Sequence, residues 1–266
     1  MQHSDKTRSL VQGGILPGLP GDRIRARFAA SPGNEIGSGK FLSAESSAAL
    51  AANAFGLFLD RPELLPPLPV GDDIAWSPSG VEIEVENRFP WSGGRHPWLD
   101  AMVEMPAALV AIESKRYEPF RKRGKVSLSD AYWRPVWGGR MTGCCSMRDD
   151  LRAGTLVFRH LDAGQLLTPA FGLRTAVHRV GRSQGKVPVL VYLYAEPVAW
   201  PGGREISPDD MSRHRDEIDR FADRIAGDEV RFVALSYRAL LEAWRTSPEA
   251  AVRDHADAVE AAFAPL

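Results

Sequence analysis

Two strand-like runs, WLDAMVEM (Trp98–Met105) and ALVAIESKR (Ala108–Arg116), are separated only by Pro106 and Ala107. So short a break between extended segments makes an antiparallel hairpin the expected arrangement, although Pro-Ala is not a favoured turn pair. With those two residues as the loop, Met105 pairs with Ala108 and Asp100 falls directly opposite Glu113. Opposed side chains stand about 4.5–5.5 Å apart at Cβ, where two like charges repel unless something offsets them. A divalent cation does so: magnesium takes hard oxygen ligands and is often held by one or two carboxylates. Side chains alternate along a strand, so Lys115 shares the face of Glu113 while Ser114 takes the other. One surface then presents two carboxylates and an ammonium, on a strand whose earlier part, Ala108–Ile112, is wholly apolar.

That set suits phosphodiester hydrolysis. A metal lowers the pKa of water and neutralises charge building on the phosphate. A lysine orients or deprotonates the attacking water, the second role requiring its pKa to fall. Glu86, at the end of the run VEIEVENRF, is a further acidic candidate, set against a solvated face shared with Glu82 and Glu84. Arg116, Arg121, Lys122, Arg123 and Lys125 follow or adjoin the acidic pair, interleaved with Tyr117, Phe120, Tyr132 and Trp133. Such a stretch contacts phosphates and stacks on bases, or is simply a solvated loop.

The rest of the chain reads as alternating helices and strands. Residues 1–42, rich in Gly, Pro, Ser and Arg, read as an arm that packs loosely or wraps the core. Ser43 is the expected N-cap of a helix to Asp60, with Leu50, Ala51, Ala54, Phe55 and Phe58 on one face and Pro62 beyond its end. In VEIEVENRF, Val81, Ile83 and Val85 face one way and Glu82, Glu84 and Glu86 the other, as in a half-buried strand. A helix is expected within 162–180, a buried strand at VPVLVYLYAEP, and a helix from the cap Ser207 with Pro208 in its first turn. VRFVALSY is the last strand. The chain divides into an arm (1–42), a core (43–199) and a C-terminal α/β extension of the same domain (200–266).

The formal net charge of -1 argues against a surface coated with cations but leaves room for a basic patch beside an acidic site. No apolar run approaches the length of a membrane span, and MQHSDKTRSL lacks a signal pattern, so a cytoplasmic protein is expected. Adjacent Cys144 and Cys145 have no metal spacing, and the histidines show no zinc pattern.

Asp100 of Pro97-Trp98-Leu99-Asp100, with Glu113-Ser114-Lys115, resembles the PD-(D/E)XK nuclease superfamily, with two residues inserted between proline and aspartate. The stretch SSAALAANAFG is similar to the first helix of a bacterial branch of putative restriction endonucleases. The resemblance spans roughly residues 43–195. It implies an α/β restriction-endonuclease-like αβββαβ core with a mixed central sheet flanked by helices. It also implies Asp100 and Glu113 as ligands of Mg (or Mn), Lys115 as the catalytic lysine, and DNA as substrate. Some members add an acid from the first helix, for which Glu45 is the candidate here, against a plain helix-dipole role. Gln165, Arg174 and His178 would face the active edge from the later helix. The expected activity is a metal-dependent endonuclease in restriction, defence or repair. The alternative is a catalytically inactive nuclease-fold module that binds nucleic acid or protein. Cutting both strands calls for two active sites, which admits a homodimer.

Overall fold

A computed structural model describes residues 13–121 and 128–266. Its centre is a five-stranded mixed sheet with strand order β1-β2-β3-β4-β5. The strands are β1 (Gly80–Glu86), β2 (Trp98–Glu104), β3 (Ala108–Lys115), β4 (Val187–Tyr194) and β5 (Arg231–Ser236). β1, β2 and β3 run antiparallel in turn, and β3, β4 and β5 run parallel. The hairpin register is the expected one: Ala101, Met102, Val103 and Glu104 pair with Ile112, Ala111, Val110 and Leu109, and Met105 N–H closes on Ala108 O at 3.0 Å.

Helices cover both faces. One face carries α1 (Gly21–Ala30), α2 (Ser47–Gly56), α6 (Tyr237–Arg245) and α7 (Ala250–Phe263), packed on Val81, Ile83, Val103, Val110, Ile112, Val189 and Val191. The other carries α3 (Thr142–Ala153), α4 (Ala163–His178) and α5 (Pro208–Ile225), packed on Leu109, Ala111, Leu190 and Tyr192. Every residue of β3 is buried, because the strand has helices above and below and a strand on either side for most of its length.

Four local expectations change. α1 lies within 1–42, and Ile24 and Phe28 are fully in the core, so residues 21–30 are an integral helix rather than a loose arm. Arg23 and Arg27 both reach Glu82 on β1 and tie it to the sheet. The cap of α2 is Ser46, whose hydroxyl accepts Ala49 N–H at 3.0 Å; Ser43 serves only Glu45 N–H in the preceding turn. α2 is buried all round rather than on one face. α3 was not expected at all: its first turn lacks a side-chain cap of its own, and Asp228 supplies one from across the fold, accepting Gly143 and Cys144 N–H at 2.8 and 2.7 Å.

The fourth change concerns β1. Val81 and Ile83 enter the α1/α2 core, but Val85 packs on the opposite side. Glu84 between them has φ +48°, a left-handed conformation uncommon for a residue with a Cβ, and it rotates the strand. Leu99 and Ala101 of β2 divide in the same way. Ser207 and Pro208 begin α5 as expected, and Cys144 and Cys145 are free thiols. Among the described residues no helix is long and apolar enough to cross a membrane.

The distant cap on α3 yields a direct expectation. Asp228→Ala should lower stability by about 1–2 kcal/mol, the cost of uncapping a helix. An unchanged urea midpoint would show that water replaces the carboxylate without loss.

Candidate functional site

β2 and β3 separate at one end. Their ladder stops at the Ala101–Ile112 pair, and from there β2 continues along β1 alone, through Leu99 and Trp98. The fork is closed by a side chain: Ser114 N–H donates to Asp100 Oδ2 at 2.7 Å. The carboxylate thereby takes the place of a strand carbonyl, which satisfies an amide that would otherwise be orphaned by the splay.

Glu113 and Lys115 follow Leu109 and Ala111 by strand alternation and so face the α3/α4 side. They form a buried ion pair, Lys115 Nζ to Glu113 Oε1 at 2.5 Å. Burial pushes the Glu113 carboxyl up against the pull of Lys115. Asp100 is held well above the usual carboxylate range by burial and then by the charge of Glu113, which Lys115 and the Ser114 amide only partly offset. Burial alone would lower Lys115, but Glu113, Asp100 and Glu118 outweigh it and keep the ammonium protonated. Proton abstraction by Lys115 is therefore disfavoured in this arrangement; charge stabilisation and orientation are what it can do.

Two more carboxylates belong to this edge, and a third stands near it. Glu84, expected on a solvated face, is instead raised to about 7 by burial, with the charges of Glu35 and Glu113 adding and the Ser31 hydroxyl opposing. Glu118 is lowered: burial pushes it up, but Lys115, the Ser47 hydroxyl at 2.6 Å and Arg116 N–H at 2.8 Å prevail. Asp162, the N-cap of α4, adds its charge to the field at Glu113. Strand alternation placed Glu84 outside, and the left-handed backbone conformation that turns it inward has no signature in V-E-I-E-V-E. Glu118 and Asp162 were detectable only through the tertiary packing.

The other sequence candidates divide. Glu45 lies before α2 and is engaged by Arg121. Glu86, half-buried, is paired with Arg88 at 2.7 Å. Arg116 is buried and donates to Ala44 O and Phe263 O; it braces the fold and is not presented to a nucleic acid. Arg121 is half-exposed on Glu45, while Lys122, Arg123 and Lys125 lie outside the described residues. Gln165 is exposed on the first turn of α4, beside Asp162, whose side chain accepts its N–H at 2.9 Å. Arg174 instead donates to Val136 O at 2.9 Å, and His178 pairs with Glu229 at 2.6 Å. Rising about 1.5 Å per residue, α4 carries His178 roughly 20 Å from the site end, so it cannot serve there.

Among the described residues no group of three or more His, Cys, Asp or Glu side chains stands together as a metal cage. No family model matches the chain, and neither a curated protein nor a solved structure does.

The Glu84 environment sets a pH dependence. Below a pH of about 4.5 the carboxyl is protonated in folded and unfolded chains alike and costs nothing; as pH rises through about 7 the fold must ionise a group it solvates poorly. Wild type should therefore lose stability relative to Glu84→Gln across that window. Urea midpoints of the two proteins that run parallel from one end of the window to the other would contradict this placement.

Proposed function

We propose that the chain is a metal-dependent nuclease of the PD-(D/E)XK type, acting on the phosphodiester backbone of DNA. The observation that carries the reading is the β2–β3 register, which brings Asp100 to the fork beside Glu113 and Lys115 on the adjacent strand. The order of elements supports it. A helix, three antiparallel strands, two helices and a parallel strand follow one another, one helix more than in the αβββαβ core of that superfamily.

The donor set fits a hard divalent cation. Asp100 and Glu113 flank the Lys115 ammonium, and the charge of Glu84 interacts with both Asp100 and Glu113; burial first, and then the neighbouring carboxylates, push all three carboxyls up. Asp100 and Glu113 would hold Mg or Mn. Bound there, such a cation supplies Lewis-acid stabilisation of the phosphate and a lowered pKa for water.

The remaining work falls to the chain. Lys115, protonated and pinned by Glu113, sets a fixed positive charge where the phosphate gains negative charge as water adds and the P–O bond breaks. Glu118 and the Ser47 hydroxyl hold the turn after Lys115 in place. A second reading, a nuclease-fold binding module without activity, draws on the lack of a three-donor metal group among the described residues.

Asp100→Asn should reduce Mg²⁺-dependent cleavage of supercoiled plasmid about a hundredfold or more. Its metal-free stability should be equal to wild type or higher, since a repelling charge is gone. Glu113→Gln should be equally inactive. Lys115→Ala is the less clean variant, because it strands Glu113 in a buried site at a cost of about 3–5 kcal/mol. Near wild-type cleavage by Asp100→Asn or Glu113→Gln would overturn the assignment. A wild type that binds DNA but neither takes up Mn²⁺ nor cuts would establish the binding module.

A further inference from the structure

Ser114 separates Glu113 from Lys115 and points the other way, into the core under α2 and α6, where it is wholly buried. Its hydroxyl lies 2.7 Å from the Tyr237 hydroxyl and 3.4 Å from Ser47 O. Either hydroxyl can donate in the Ser114–Tyr237 bond; with the serine proton on Ser47 O, it is the tyrosine O–H that donates to Ser114 Oγ. Tyr237 is the first residue of α6 and is itself fully buried. Phenylalanine would fill the same apolar space, so packing alone gives no reason for a hydroxyl there.

The need for it lies in the fork. Beyond Ile112, β3 has a ladder partner on one side only: Glu113, Ser114 and Lys115 pair with Tyr192, Leu193 and Tyr194 of β4, while β2 has left. Apart from the single bond from the Ser114 amide to Asp100, this end of β3 is held along one edge, and a roll about that edge would redirect Glu113, Lys115 and the Ser114 amide together. A hydrogen bond to the side chain of the middle residue, from the face opposite the site, stops the roll.

We propose that Tyr237 is a positioning residue for the Glu113–Lys115 site, acting through Ser114. The inference rests on the nuclease reading of the same edge and extends its machinery to the C-terminal helices. Catalytic geometry tolerates little displacement: about 1 Å of misplacement can cost about a hundredfold.

The test is Tyr237→Phe, with Ser114→Ala breaking the same bond from its other end. Both variants should show kcat on plasmid lowered roughly tenfold with KM unchanged, and Mn²⁺ affinity without DNA weakened severalfold. Combining them should lose no more than either alone, and thermal midpoints should shift only slightly. Wild-type kcat and Mn²⁺ affinity in Tyr237→Phe, with an active wild type, would overturn the positioning role and leave the nuclease reading standing. Fully additive losses would also overturn it, since the two residues would then act separately. A wild type that takes up no Mn²⁺ and cuts nothing would remove the nuclease reading, and the clamp with it.

Discussion

The Ser114 amide donates to the Asp100 carboxylate where a sheet would ordinarily supply a backbone carbonyl. Where β2 departs from β3 it strands an N–H in a nearly dry interior, and an unpaired buried amide costs about 1–3 kcal/mol. A carboxylate is a stronger acceptor than a carbonyl, but it brings a charge into the same interior, within reach of Glu113 and Glu84. The splay, the buried aspartate and the electrostatic imbalance of the edge are thus one feature seen in three ways. Lys115 relieves the imbalance in part, and in doing so is locked in its protonated form.

The strand that bears the site divides its labour by parity. Glu113 and Lys115 face the cluster, whereas Ser114 and Arg116 face the frame: Ser114 meets Tyr237 and Ser47, and Arg116 reaches Ala44 and Phe263. Segments far apart in the chain, the approach to α2, the start of α6 and the end of α7, are thereby fastened to Ser114 of β3 and to Arg116 just past its end. Residues 200–266 are in this sense part of the site's support. Arg116 illustrates the consequence: placed by sequence among basic residues, it spends its guanidinium on two carbonyls and the faces of Tyr117 and Phe263.

Legibility in the sequence followed the range of the interactions. The hairpin around Pro106–Ala107, its register, the α5 cap at Ser207–Pro208 and the buried β4 depend on neighbours a few residues apart, and all were readable. Asp100, Glu113 and Lys115 stand close together, as that register implies. Glu45, Glu86, Arg174 and His178 meet Arg121, Arg88, Val136 and Glu229, partners set by packing or by surface pairing with no fixed spacing, so spacing alone could not assign their contacts.

By itself, then, the sequence determined the alternation of helices and strands and the register of the hairpin, since period and loop parity are local properties of the backbone; the splay that ends the ladder before Asp100 meets Glu113 was not in it. Only the tertiary structure decided that Glu84 turns inward, that Lys115 stays protonated, and that Tyr237 stands behind Ser114. Each of these depends on which distant groups share a low-dielectric space. That is a property of how helices close over the sheet, and no spacing along the chain encodes it.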